Sequence, residues 1–335
     1  MNSRTRTSDN GRPPPQRGNA IFTTVALLYY KDGLTQSEIA KRLGVSRASV
    51  VNYLRQAHEQ NIVDIRIDGT SYSSSNLSRH LREAYGLEDV YVATTYTGPE
   101  VKPAALAGEV RRQVARVGAM AVYDLVRPGD VVGVTWGETI QRLSEEMPRG
   151  VLKSLTICQM IGSMKSPLMP AAETAVLRIA SALGADCHIL HAPAILSNPD
   201  IAAALKREPI IRAQLDKLKE LTKTLFSVGD MRDSTLIVRS RIVSAQEMHW
   251  YRNHGAVGVI CGRFIDARGE HVEGQMDARM IGITPAELKR VGNGILVAAG
   301  AEKLTAMKAA LVGGYVKYLV TDEATGTQLL AMAGH

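Results

Sequence analysis

The sequence predicts an α/β protein in two parts, an N-terminal helix-turn-helix followed by a Rossmann-like parallel sheet. Two features point to this. Residues 34–57, LTQSEIAKRLGVSRASVVNYLRQA, read as two short helices about a glycine turn. From Leu87 onward, short apolar strands alternate with helical stretches, the rhythm of a parallel sheet covered on both faces.

Residues 1–18 hold Arg4, Arg6, Arg12, Arg17 and Pro13-Pro14-Pro15 with almost nothing apolar, which predicts a disordered tail. Residues 19–69 form the helix-turn-helix domain. Its first helix, Ala20–Tyr30, packs behind the reading pair. Thr35 and Glu38 fit a capping box, in which the Thr hydroxyl accepts from the third helical amide and the Glu reaches back. Ile39, Ala40 and Leu43 make the buried stripe, and Gly44 ends the helix. Ser46 caps the second helix, whose apolar positions are Val50, Val51 and Leu54. Arg47, Ala48, Ser49, Asn52, Tyr53 and Arg55 are left to face outward; with Thr35 and Ser46 they are the candidate DNA contacts. Arg, Asn and Ser can meet base edges, and Arg and Ser also grip phosphates. A hairpin that only packs would not need capping, turn glycine and polar face to coincide.

The alternation Ile62-Val63-Asp64-Ile65-Arg66-Ile67 predicts a strand, either a small wing or a hand-over to the next domain. Residues 70–86, with the Ser-rich run SYSSSNLS at 71–78, read as a linker, and 87–335 as one ligand-binding and oligomerisation domain. Its expected strands are Val90–Ala93, Val131–Thr135, Leu155–Met160, Asp186–Leu190, Leu225–Val228, Val257–Cys261, Ile295–Ala299 and Tyr318–Thr321. Expected helices include a long one around Leu106–Val126 and another from Thr139.

With 45% hydrophobic and 22% charged residues, the 335-residue chain has ample core for two or three domains. The formal net charge is +7, and residues 1–68 hold ten Lys or Arg against six Asp or Glu. More than half of the excess thus sits in the first fifth, which supports DNA binding there and argues against a polyanion binder beyond it. Three cysteines, an odd number without a CxxC pair, argue against a disulfide scaffold and for a reducing cytoplasm. The apolar run Ala20–Tyr30 is too short for a bilayer, so no membrane partner is expected.

In parallel sheets, ligands sit at the carboxyl ends of strands, which selects three loops. The first is Gly133-Val134-Thr135-Trp136-Gly137-Glu138-Thr139: Gly137 allows close backbone approach, and Thr135 and Thr139 offer hydroxyls beside helix amides. Spacing alone equally allows an ordinary turn with Thr139 as N-cap. The second is Ala298-Ala299-Gly300-Ala301-Glu302-Lys303, where a Lys in a first helical turn opposes the dipole and calls for an anionic partner or full solvation. The third is Ser227-Val228-Gly229-Asp230, where Asp230 accepts hydroxyls or merely caps. GxxxxGK[ST], GxGxxG after a strand and HExxH are all absent from the sequence. Cys187, His188 and His191 fall on a predicted strand with no fourth ligand nearby, so they are read as structural and neither a metal nor a cofactor is expected.

Taken together, the chain resembles the SorC family of bacterial sugar-responsive transcriptional regulators, related to the DeoR-type repressors. The likeness rests on LTQSEIAKRLGVSRASVVNYL, GDVVGVTWGETI (129–140), HGAVGVICGRFIDARGE (254–270) and AAGAEKLTAMKAALVGGYVKYLVTDEATGTQLL (298–330), in that order. The resemblance implies an effector domain like the sugar-phosphate isomerases and deaminases, assembled as a tetramer or dimer. It also implies double-stranded operator DNA as one partner and a sugar, polyol or sugar phosphate as the other. Thr135, Trp136, Gly137 and Thr139 would then cradle the ligand's phosphate or terminal hydroxyl. Lys303 would add charge, and Gln159, Gly229 and Asp230 would meet hydroxyls. Three positions depart from the family pattern: Val259 stands where Asp is common, Ser227 replaces a glycine, and Ala299 replaces the first of two glycines. The alternative is a sugar-phosphate isomerase- or deaminase-like enzyme with a DNA-binding head, but no paired acid and base stands at the strand ends.

Overall fold

In a computed structural model, residues 17–63, 70–73, 75–94, 103–164 and 172–334 are described. The chain divides into two compact units, Met1–Arg66 and Ile67–His335.

The first unit is three helices: α1 (Arg17–Ala26), prolonged by a π turn over Leu27–Lys31, then α2 (Gln36–Leu43) and α3 (Arg47–Glu59). Arg17 thus already belongs to α1, while the rest of the expected tail up to residue 16 lies outside the described residues, as do residues 64–67 of the strand expected at 62–67. Val25, Leu28, Ile39, Ala40, Val50 and Leu54 form the core. Val51 does not join it. The buried stripe of α3 runs Val50, Leu54, Ala57, at i, i+4, i+7, and Val51, one residue round the helix, is 46% exposed. Gly44 ends α2 at φ 66°, a left-handed cap that glycine adopts without strain.

The second unit opens not with a linker but with helices, α4 (Thr70–Ser73) and α5 (Asn76–Tyr85). The run misled because Ser75 is a cap: its Oγ accepts from the Ser78 amide at 3.1 Å and starts α5, and buried Leu81 seats it on the core. The strands are β1 (Asp89–Ala93), β2 (Val131–Val134), β3 (Thr156–Gln159), β4 (Asp186–His188), β5 (Lys223–Phe226), β6 (Val228–Gly229), β7 (Ala256–Ile260), β8 (Arg263–Asp266), β9 (Gly294–Val297) and β10 (Tyr318–Asp322). The helices between and after them are α6 (Pro103–Leu125), α7 (Glu138–Glu145), α8 (Ala172–Leu183), α9 (Pro199–Arg207), α10 (Pro209–Lys217), α11 (Leu236–Arg239), α12 (Ala245–Asn253), α13 (Pro285–Val291), α14 (Leu304–Val312) and α15 (Glu323–Ala333).

Seven strands make one all-parallel sheet in the order β1-β10-β9-β5-β2-β3-β4. Alternate residues feed two cores: Val90, Val92, Phe226, Leu296 and Leu319 on one face, Tyr91, Ala93, Leu225, Ile295 and Val320 on the other. Both faces are covered, so the inner strands are largely apolar, whereas the edge strand β4 reads Asp186-Cys187-His188 and is exposed at both ends. Each Val, Leu, Ile or Phe of the two cores, removed from water, contributes about 1.5–3 kcal/mol. Gly133 in β2 is required by packing, since a Cβ there would lie 2.5 Å from the Met160 sulfur.

The strand expected at Val257–Cys261 exists as β7 but not in the parallel sheet. It pairs antiparallel with β6 and β8 in a separate three-stranded sheet. The link from β7 to β8 is only Cys261-Gly262, at φ 50° and 76°. A two-residue turn with both φ positive folds a strand straight back and cannot make a parallel crossover.

Candidate effector pocket and DNA-reading face

In the first unit, the residues that start each helix also finish its hydrogen bonding. Thr35 Oγ1 accepts from the Glu38 amide at 3.3 Å, and Glu38 Oε2 accepts from the Thr35 amide and hydroxyl at 2.7 Å each. These bonds hold the Glu38 carboxyl below the usual range. Ser46 Oγ accepts from the Ser49 amide at 3.0 Å and so fixes α3. Arg47, Ala48, Asn52 and Arg55 are exposed along α3, and Ser49 is half-buried. Arg47 Nε donates to Gln36 Oε1 at 3.3 Å, a cross-helix contact that spacing within α3 does not reveal. Arg55 donates to Asn52 Oδ1 at 2.7 Å and to Glu59 Oε1 at 2.6 Å. Tyr53, expected to face outward, is half-buried, with its ring centroid 5.7 Å from that of Phe22. An aromatic ring beside a small core gains more by packing than by standing in water.

In the second unit, a cavity of about 590 Å³ opens at the carboxyl ends of β2, β5, β9 and β10, walled by β6, β7 and the segment around α11. Thr135, Trp136, Gly137, Thr139, Gly229, Asp230 and Lys303 all line it. Gln159 does not. Its side chain is absorbed by the backbone: Oε1 accepts from the Leu190 amide at 3.3 Å, and Nε2 donates to the Ile161 carbonyl at 2.8 Å and towards Ser163 Oγ at 3.4 Å. That glutamine ties β3 to the chain beyond β4.

The β2–α7 turn is unusual. Gly137 is the N-cap of α7, at φ 139°, and no side chain caps this helix. Thr139 is therefore not the N-cap that spacing allowed; it lies inside the first turn, where its Oγ1 faces Lys303 Nζ at 3.4 Å. Such an uncapped start leaves amides free for an anion. Gly300, at φ 110°, plays the same part before the short 3₁₀ turn Ala301–Lys303. Its amide donates to Thr325 Oγ1 at 2.9 Å, and Thr325 in turn bonds the buried Asp322 at the end of β10.

Burial pushes the Lys303 ammonium below the ordinary lysine range, and Glu302, Glu138 and Asp230 only partly restore it. Asp230 is itself buried and occupied: its carboxylate accepts from the Arg232 amide at 2.8 Å, Nε at 3.1 Å and Nη2 at 2.9 Å. By contrast, three buried polar atoms of the lining have no partner: Thr135 Oγ1, Trp136 Nε1 and Ser227 Oγ. A buried polar group left unpaired costs about 1–3 kcal/mol, so a hydrogen-bonding group entering the cavity would gain by meeting these atoms. Arg111, Arg142 and Arg239 also line the cavity, and no motif in the sequence pointed to them. Arg111 and Arg239 come from α6 and α11, and Arg142 from α7 just beyond the β2–α7 turn; only the fold brings the three together. Among the described residues there is no cluster of three metal-ligating side chains, and no helix is long and apolar enough to cross a membrane.

Known proteins resemble the whole of this arrangement. The family described as "Putative sugar-binding domain" matches residues 71–331. The chain is 37% identical over 308 residues to the transcriptional regulator YjhU of Escherichia coli (strain K12), covering 91% of this chain and 92% of the relative. It is 30% identical over 307 residues to the deoxyribonucleoside regulator of Bacillus subtilis (strain 168), covering 91% and 95%. Among solved structures, the full-length sorbitol operon regulator SorC of Klebsiella pneumoniae superposes with a TM-score of 0.69 at 26% identity, covering 94% of this chain and all of that one.

Proposed function

The chain belongs to the SorC family of sugar-responsive transcriptional regulators, and from that premise we propose that it represses carbohydrate or polyol catabolism genes until an effector fills the cavity. The relatives are regulators, which sets aside the enzyme with a DNA-binding head. The α3 face reads operator DNA: Arg47, Asn52, Ser49 and Ala48 meet bases or nearby phosphates, and Arg55 meets the backbone. Thr35 and Ser46 serve at the helix starts, where they hold α2 and α3 in place and their hydroxyls can meet a nearby phosphate. Tyr53 supports the helix from behind.

The observation that carries the effector reading is the meeting, in one cavity, of three unpartnered buried donors with a desolvated lysine. Lys303 and the uncapped start of α7 favour a phosphorylated sugar or polyol over a neutral one, because an anion restores the charge state that burial disfavours. Effector binding biases two arrangements of an oligomer, DNA-competent and incompetent, by its differential affinity for them. The oligomer is a tetramer or dimer, working in the cytoplasm.

A thermal-shift screen of the purified full chain against sugars, polyols and their phosphates tests this. A ligand present at a hundred times its dissociation constant stabilises by about 2.7 kcal/mol, a readily visible rise in melting temperature. Phosphorylated compounds are expected to shift the melting and their unphosphorylated parents not. A flat response across both panels counts against an effector pocket.

A further inference from the structure

The outer face of α9 is uncovered, and its residues are ordered so that a second copy of the same face complements it. α9 rests on a small core of its own through the wholly buried Ala202. On the side away from that core, Asp200, Ala203, Ala204 and Arg207 follow the i, i+3, i+4, i+7 spacing of one helical face, and all four are exposed. Beside them Ile201 is 51% exposed at the start of the helix, and Ile210 is 64% exposed just beyond its end, in the first turn of α10. Neither Asp200 nor Arg207 makes an ion pair among the described residues.

Two turns of helix, about 10.5 Å along the axis, separate Asp200 from Arg207, and the midpoint falls between Ala203 and Ala204. A second α9 laid antiparallel across that midpoint sets Asp200 opposite Arg207 of the other copy, and Arg207 opposite its Asp200. The same rotation carries the end of one helix to the start of the other, so Ile210 comes to Ile201. Alanines at the crossing let the two axes approach to about 8 Å, and the helix dipoles run opposed. One two-fold operation thus serves both charges and both isoleucines, the reciprocity of an isologous contact. A standard interface buries about 800 Å² on each partner, more than a nine-residue helix offers, so the adjoining turn of α10 takes part.

We propose that the outer face of α9, with the first turn of α10, is an interface at which two copies of this chain pack antiparallel about a two-fold axis. The proposal rests on the oligomeric reading above and gives it a place in the fold. That place is joined to the cavity. α9 packs on the 3₁₀ turn Asp277–Arg279, and the buried Asp277 accepts from Arg263 Nη1 of β8 at 2.6 Å. β8 pairs with β7, whose Val259 lines the cavity.

Sedimentation of the full chain over a dilution series tests this, with Asp200→Arg, Arg207→Asp and an equimolar mixture of the two variants. In either variant alone, both contacts across the axis join like charges. The association step they serve is expected to weaken by about a hundredfold or more. In the mixture one copy is basic at both positions and the other acidic at both, so unlike copies regain both contacts and the wild-type assembly returns. Residues that acted only on folding would give no such rescue. Assembly unchanged in both single variants would overturn the interface and leave the oligomer standing. Dissociation that mixing does not reverse would overturn the antiparallel pairing. A wild-type chain that stays monomeric at every concentration would overturn the oligomeric reading together with the interface.

Discussion

The two units begin their functional helices in opposite ways. In the DNA-reading unit, α2 and α3 start at Thr35 and Ser46, whose hydroxyls take the free amides at 3.3 and 3.0 Å. In the second unit, α7 starts at Gly137 with no side chain to do so, and the neighbouring hydroxyl of Thr135 and indole of Trp136 are buried without partners. Among the described residues of the first unit, no buried side-chain polar atom lacks a partner. The second keeps buried polar atoms without partners, and three of them, Thr135 Oγ1, Trp136 Nε1 and Ser227 Oγ, line the cavity. A rigid reader coupled to a site with unmet hydrogen bonds is the arrangement a ligand-controlled regulator requires, since only the second part gains by binding.

Breaking one side of this contrast should leave the other intact. Lys303→Met should have the largest effect on the pocket, because a charged hydrogen bond to a buried anion is worth about 1.5–3 kcal/mol. The melting shift produced by a sugar phosphate should shrink accordingly, with operator affinity of the ligand-free protein unchanged. The same lysine sets a pH dependence. Its folded pKa is lowered, so between that value and 10.5 the unfolded chain binds a proton the folded chain lacks. Stability of the ligand-free protein should therefore gain from this group as pH rises through that window. Affinity for a phosphate should fall over the same window, as Lys303 loses its charge. Titrations at stepped pH, with Lys303→Met flat by comparison, check both signs.

Arg47→Ala is the mirror case. Its guanidinium is exposed and tethered only by Gln36, so melting should not move, whereas operator affinity should fall by about 1–3 kcal/mol. An electrophoretic mobility titration reads this, and unchanged affinity would remove α3 as the reading helix. Gly137→Ala sharpens the comparison at the backbone. A Cβ meets no atom there, but φ 139° is a conformation L-residues rarely adopt. The strain of about 1–2 kcal/mol should lower both melting temperature and effector affinity. The smallest effect is expected from Ser46→Ala, about 1 kcal/mol of stability lost from the first unit alone, seen in denaturant titration.

What was legible in the sequence follows the same divide. The capping box of Thr35 and Glu38, the left-handed Gly44 and the Ser46 cap are local, and each formed as expected. So did the strands of the large sheet, whose apolar runs reflect burial on both faces. Positions decided by distant partners were not legible. Nothing near Gln159 in the chain told that the Leu190 amide, 31 residues on, would claim its carbonyl. Tyr53 turned inward because Phe22 waits on another helix. The serines at 71–78 resembled a linker because capping and flexible segments share a composition, and only the burial of Leu81 separates them. Ser227 and Val259 stood out as departures from a family pattern, but that both line one cavity is a property of the fold.

Coupling between the two units is the central claim, and operator affinity measured with and without effector tests it most directly. The operator is first selected from random duplexes, and the effector is the strongest hit of the thermal screen. Saturating effector is expected to weaken operator binding by about five- to 150-fold, the usual span of allosteric coupling, and operator should weaken effector binding by the same factor. In Lys303→Met the change should be greatly reduced at the same effector concentration. A ligand that binds the wild-type cavity tightly yet leaves operator affinity unchanged would contradict it.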